Sequence, residues 1–167
     1  MPDHCNECLM AKTVRRKKFK GSFKRDIKET GDLITCDTSS MVDVYGENGM
    51  DGYTDALFGK DIKSNFRFAL PIHGKDNHTM TESIRHLRGN DEWKRIYSDN
   101  WDAITNACVA LGITWEPSQP GVPQTNAIAE NNNRTLTGDA ATALCAAGMP
   151  ACMWPMAQPY VAFMSNC

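Results

Sequence analysis

The sequence predicts an α/β domain, a mixed five-stranded sheet flanked by helices. Three observations carry this. Short apolar runs that read as strands occur five times along the chain. From residue 76 onward they alternate with segments whose apolar residues recur at helical spacing. Gly, Pro and Asn punctuate the joins. The resulting order is β, ββ, α, β, α, β, α, α. Strands that alternate with helices after an initial meander place helices on both faces of one sheet. At 167 residues the chain is one domain's worth.

The first 30 residues stand apart as a basic, mostly disordered arm, because TVRRKKFKGSFKRDIKET is highly charged and lacks apolar periodicity. Composition changes at Gly31, and the core is expected over 31–167. In DLITCDTSS (32–40) the apolar run Leu33 to Cys36 reads as a strand that ends at Asp37 in a polar turn. MVDVYGENGMDG (41–52) is a loop. YTDALFG (53–59) and RFALPIHG (67–74) form a hairpin around GKDIKSN. DNHTMTESIRHLRG (76–89) is helical, with Met80, Ile84 and Leu87 on one face and Gly89 as its stop. KRIYSDN (94–100) is a strand ending at an aspartate. DAITNACVALG (102–112) is a helix with Ile104, Cys108 and Leu111 aligned and Gly112 as cap. ITWEP (113–117) is a strand, and SQPGVPQTN (118–126) a loop. The segment 126–148 is a long helix in which Ile128, Asn132, Leu136, Ala140 and Leu144 recur every four residues. Pro150 breaks it, and 154–166 is a last helix interrupted by proline.

Composition narrows the function classes. Hydrophobic residues make up 41% and charged residues 23%, as in an ordinary globular domain. No apolar run is long enough to span a membrane, and MPDHCNEC does not begin like a secretory signal. The net charge of −2 hides an asymmetry. Residues 1–28 hold nine Lys or Arg against three acids, which leaves −8 on the remainder. A basic arm before an acidic body suggests a polyanion partner or a solvated tail. Seven cysteines without a secretory signal are expected as reduced thiols.

Three acids are candidates for chemistry. Asp37 and Asp99 follow strands, and Glu130 lies early on the long helix. Glu130 is two residues past Ile128, about 200° around the axis from the apolar stripe, so it faces outward or into a cleft. Asn133 and Arg134 share its face at i+3 and i+4. Carboxylates gathered at one point suit Mg²⁺, which prefers oxygen ligands. Two such ions clamp the attacking and leaving oxygens in phosphoryl transfer. The plainer alternative is two turn residues and one solvated helix acid among the 20 acids of the chain.

The phrases around these acids resemble the integrase catalytic core of copia-type retrotransposons. They are Gly31-Asp32-Leu33 with Asp37, Ser98-Asp99-Asn100, Gly112-Ile113, and Pro120, Pro123-Gln124, Asn126 and Ala129-Glu130. Asn133-Arg134-Thr135-Leu136 and Ala147-Gly148, Pro150, Trp154 and Ala157 complete them. The match is collinear over 31–166. The resemblance implies a ribonuclease H-like fold and a site in which Asp37, Asp99 and Glu130 hold two Mg²⁺ or Mn²⁺ ions. It implies DNA integration: processing of the element's DNA ends, then strand transfer to target DNA. It also implies a homo-oligomer, and Asn100, Gln124, Asn126 and Arg134 contacting DNA. Alternatives stay open: Asn126 as a helix N-cap, and Arg134 as an i, i+4 partner of Glu130. Lys75 follows the third strand, where the family commonly has a lysine, and is either a phosphate contact or a surface residue. Trp154 and Phe163 read as packing residues.

Two departures bear on activity. The thirty residues between Asp99 and Glu130 are fewer than the family usually has, with the shortfall between Asn100 and Gly112. Asn131 and Asn132 stand where it commonly places basic residues, which lowers the charge available for phosphates. Cys5-x-x-Cys8 is half of a zinc site. In the family it would be the tail of a His-His-Cys-Cys module whose histidines lie upstream, so Zn²⁺ is not expected here. The chain is accordingly expected to be a polyprotein fragment or a degenerate copy. Two competitors accompany the integrase reading: a degenerate or domesticated domain that binds nucleic acid without catalysis, and a ribonuclease H-like metal-dependent nuclease. The stretch RRKKFK (15–20) is compatible with nuclear import.

Overall fold

The computed structural model describes residues 26–41, 46–118 and 127–167. Five strands, β1 (Ile34–Ser40), β2 (Asp55–Asp61), β3 (Arg67–Ile72), β4 (Arg95–Ser98) and β5 (Thr114–Pro117), form one sheet in the order β3-β2-β1-β4-β5. β1, β2 and β3 are an antiparallel meander, while β4 and β5 add in parallel beside β1. The helices are α1 (Asn77–Arg88), α2 (Asp102–Leu111), α3 (Ala127–Ala147) and α4 (Trp154–Met164). This is the expected α/β architecture, a mixed five-stranded sheet flanked by helices.

Strand alternation separates two cores. In β2, Leu57 faces one side, where Ile34, Cys36, Ile72 and Ile96 meet Met80 and Ile84 of α1 and Ile104 and Cys108 of α2. Ala56 and Phe58 face the other, where Ala69 meets Leu136 and Ala140 of α3 and Trp154, Ala157 and Val161 of α4. Burying each large apolar side chain contributes about 1.5–3 kcal/mol. The helix ends follow local chemistry. Asp76 accepts hydrogen bonds from the His78 and Thr79 N–H groups at the start of α1. Gly112 closes α2 in the left-handed conformation.

Gly31 joins the chain entering β1 to the rest of the fold. Its N–H donates to Asp61 Oδ2 at 2.6 Å, and its carbonyl accepts from the Lys94 N–H at 2.9 Å. Its φ of +86° and the Glu92 carbonyl pressed against it leave no room for a Cβ. Nearby, Asp32 takes the Lys94 ammonium at 2.8 Å and the N–H groups of Glu29 and Lys28. These donors, Lys94 foremost, hold its carboxyl well below the usual carboxylate range. At the opposite end of the chain, the Asn166 side chain accepts from the Arg67 N–H (2.9 Å) and donates to the Arg67 carbonyl (2.8 Å), on the outer edge of β3.

Two expectations are corrected. The first strand does not stop at Cys36: it continues to Ser40, and Asp37 lies in mid-strand opposite Phe58. The polar run Thr38–Ser40 is held extended by its pairing with β2, which overrides the turn preference of its residues. Phe163 is not a packing residue. It is 64% exposed, whereas Trp154 is buried as expected. All cysteines among the described residues are free. Burial raises the thiols of Cys36 and Cys108, which keeps both protonated.

Candidate functional site

β1 and β4 pair only at Ile34–Ile96 and Thr35–Tyr97. Beyond that point β1 stays on β2 while β4 ends, so the two strands part. Asp37 lies two residues past the divergence, and Asp99 directly follows β4. Asp37 shares its sheet face with Phe58, the face that α3 covers. Glu130 lies in the first turn of α3, where the positive end of the helix dipole favours an acid. Asn132 and Leu136 turn toward the sheet, and Glu130 is exposed, as its offset from the apolar stripe predicts.

The Asp37 carboxylate is held at both oxygens. Oδ1 accepts from the Thr38 N–H at 2.8 Å, and Oδ2 accepts from Asn133 Nδ2 at 2.7 Å. Burial raises its pKa to about 6. The negative charges of Asp99 and Glu130 push the same way, against the Thr38 N–H and the Lys75 ammonium. Asp99 is tethered elsewhere: its Oδ1 accepts from Ser118 Oγ at 2.8 Å, just past β5. The Ser118 N–H also bonds the Ser98 carbonyl at 2.8 Å, and Trp115 Nε1 donates to Ser98 Oγ at 3.0 Å. The short loop after β4 is thus pinned to β5.

Three carboxylates whose charges bear on one another suit a hard divalent cation in donor type and charge. Asp37 retains a proton more tightly than a free carboxyl, chiefly because it is buried and secondarily because of the Asp99 and Glu130 charges. As the side chains stand, no group of three His, Cys, Asp or Glu among the described residues is gathered closely enough to hold a metal ion.

The other candidates are distributed as follows. Asn100 is exposed beside Asp99. Lys75 Nζ lies 3.1 Å from Asp55 and 3.1 Å from Ser40 Oγ, and 6.0 Å from the centre of the Trp101 ring. Its charge is committed to a buried acid at the end of β1 and β2. Arg134 does not pair with Glu130: its Nη2 donates to Asn131 Oδ1 at 2.7 Å on the exposed side of α3. Gln124 and Asn126, and the half zinc site Cys5 and Cys8, lie outside the described residues. Two residues that hold the acids were not singled out as site residues in the sequence. Asn133 carries a signal, its i+3 spacing from Glu130. Ser118 carries none, because nothing local ties it to Asp99.

No family model matches the chain. The catalytic core domain of BIV integrase, in its crystal structure, superposes with a TM-score of 0.55 at 20% identity, over 77% of this chain and 80% of that one. The fold is therefore that of an integrase catalytic core, ribonuclease H-like. The retrovirus-related Pol polyprotein from transposon TNT 1-94 of Nicotiana tabacum is 33% identical over 171 residues, covering 97% of this chain. The chain spans 12% of that polyprotein. Sequence and fold point the same way: the chain is similar to a stretch of a retrovirus-related transposon polyprotein and has the fold of an integrase catalytic core.

Proposed function

We propose that this domain acts on DNA as the catalytic core of an integrase, with Asp37, Asp99 and Glu130 as the residues that would hold Mg²⁺ or Mn²⁺. The observation that carries this reading is the integrase-core fold, with Asp37 and Asp99 flanking the point where β1 and β4 part and Glu130 in the first turn of the helix that covers the Asp37 face. The bound ions would supply charge neutralisation at the scissile phosphate and activation of the attacking oxygen. The chain's own part is positioning. β1 presents Asp37 on the face covered by α3. Ser118 orients Asp99. The first turn of α3 carries Glu130 outward to the solvent side, where a DNA strand would approach. Asn100, beside Asp99, and Arg134, on the exposed side of α3, would contact phosphates.

DNA ends and target DNA are the proposed partners, and a homo-oligomer the proposed working form. Nuclear import through RRKKFK is proposed with them, and a reporter fused to residues 1–30 that stays cytoplasmic would remove that idea. The catalytic reading is tested by nicking and strand transfer on duplex DNA with purified protein, Mn²⁺ and an Asp99→Asn control. Mn²⁺-dependent products that vanish in the variant are expected.

A second reading, a domain that binds nucleic acid without catalysis, is favoured by two observations. Asp99 is turned onto Ser118, and the Lys75 charge is taken by Asp55. It predicts DNA binding with no product in the same assay.

A further inference from the structure

We propose that Lys60 and Arg67 form a phosphate-binding pair that holds the DNA backbone on the sheet face that carries Asp37. The inference rests on the DNA-binding reading above and needs no metal. The strand register sets the placement. Lys60 of β2 lies directly opposite both Arg67 of β3 and Thr35 of β1, and directly paired residues share a face. Lys60 is two positions past Phe58, which lies opposite Asp37, so its side chain stands on the Asp37 face one pleat away. Tyr97 and Glu116 continue the line across β4 and β5. The row Arg67, Lys60, Thr35, Tyr97, Glu116 therefore crosses all five strands, with two adjacent cations at one end and an acid at the other.

Like charges directly opposite on neighbouring strands repel. Lys75, Lys94 and Arg95 are each matched by an acid: Asp55, Asp32 and Glu116. Among the described residues no acid pairs with Lys60 or Arg67. Both are half-buried, so water covers them incompletely. Burial, and then the Arg67 charge, holds the Lys60 ammonium below its ordinary value. A phosphate relieves this strain at once. Its oxygens accept from the guanidinium fork and sit against the ammonium as a point charge. The pair is also set in advance. The Asn166 side chain holds the Arg67 N–H and carbonyl, which fixes that residue beside Lys60. Asn132 Nδ2 donates to the Gly59 carbonyl at 3.1 Å and seats α3 next to Lys60. A strand that approaches Glu130 and Arg134 on that helix is thereby brought to two cations, which supply charge that Asn131 and Asn132 do not.

The test is binding of a fluorescent DNA duplex by the full chain across a salt series, with thermal unfolding in low salt and in inorganic phosphate as a second arm. Lys60→Met and Arg67→Met should each lower the slope of log affinity against log salt by about one, and weaken binding about fivefold to tenfold at about 0.1 M salt. Arg85→Met removes an exposed cation of α1 that is already paired with Glu82, and should leave the slope unchanged. The unfolding midpoints of the two test variants should hold or rise, because a repulsion is removed. An unchanged slope in both variants overturns the inference and leaves the DNA reading standing, and a lowered midpoint with it would mark the pair as packing. An equal loss of slope in Arg85→Met would show an effect of net charge alone and also overturns it. If inorganic phosphate stabilises the parent but neither variant while their DNA slope is unchanged, the pair holds a free anion and the DNA assignment fails. A parent chain that binds no DNA removes the DNA reading, and this inference with it.

Discussion

The Lys75 ammonium lies 3.1 Å from the Asp55 carboxylate, whose side chain is only 10% exposed. Burial pushes the Asp55 pKa up, but donors from Thr54, Ser40 and Lys75 outweigh it and hold the carboxyl below its ordinary value. A depressed acid stabilises the fold at neutral pH, and that contribution is lost as pH falls through its native pKa. Lys75→Met should therefore destabilise by about 1–3 kcal/mol at pH 7, and by progressively less as pH falls below the ordinary carboxylate range, read by thermal unfolding across that range. The same variant should leave the salt dependence of DNA binding unchanged. A slope lower by about one would show that Lys75 holds a phosphate instead.

Asp37 behaves in the opposite sense. Its pKa rises from 3.8 to about 6 in the fold, so the native state binds the proton more tightly than the unfolded chain. Stability in metal-free buffer should fall as pH rises through that window and stay low above it. Asp37→Asn cannot ionise. It should exceed the parent by about 1–3 kcal/mol at pH 7.5 and show no advantage at pH 3.5. Equal stability at both values would show that Asp37 titrates normally.

Gly59 faces Phe68 across the β2–β3 ladder, and a Cβ at Gly59 would fall within the Phe68 ring. Gly59→Ala should cost about 1–3 kcal/mol. Shrinking the ring with Phe68→Leu should recover part of that loss, giving a non-additive pair in denaturant unfolding. Strict additivity would mean that the ring is not the obstacle.

Gln158 is completely buried on α4, and neither end of its amide has a hydrogen-bond partner. Replacing it with Met removes two unsatisfied polar atoms at similar volume. The expected gain is about 1–2 kcal/mol, or roughly 2–8 °C in Tm. A lower Tm would reveal a polar partner for the amide.

Much of this was legible in the sequence because periodicity and punctuation are local. The stripe Asn132, Leu136, Ala140 gave α3 its inner face, and Gly89 and Gly112 marked two helix ends. Asp99 follows its strand as the sequence implies. Asp37 was misplaced because Thr38–Ser40 take their extended form from β2, a partner some twenty residues away that local preference does not reveal. Phe163 was misjudged for a different reason. α4 is apolar on nearly every side, so its spacing does not say that Gln158 turns inward and Phe163 outward. The tethers of the acids were hidden because Asn133 and Ser118 act across 96 and 19 positions.

The bracket that Asn166 forms around Arg67 has a meaning for how copies of this domain can meet. A side-chain amide offers one acceptor and one donor, as a peptide group does, and here it fills the place of a sixth strand on the open rim of β3. The opposite rim, β5, is only four residues long and ends in Pro117, which has no N–H to give. Neither border of the sheet invites another chain to continue the ladder, so association between copies is steered from sheet-to-sheet polymerisation toward contacts between side chains.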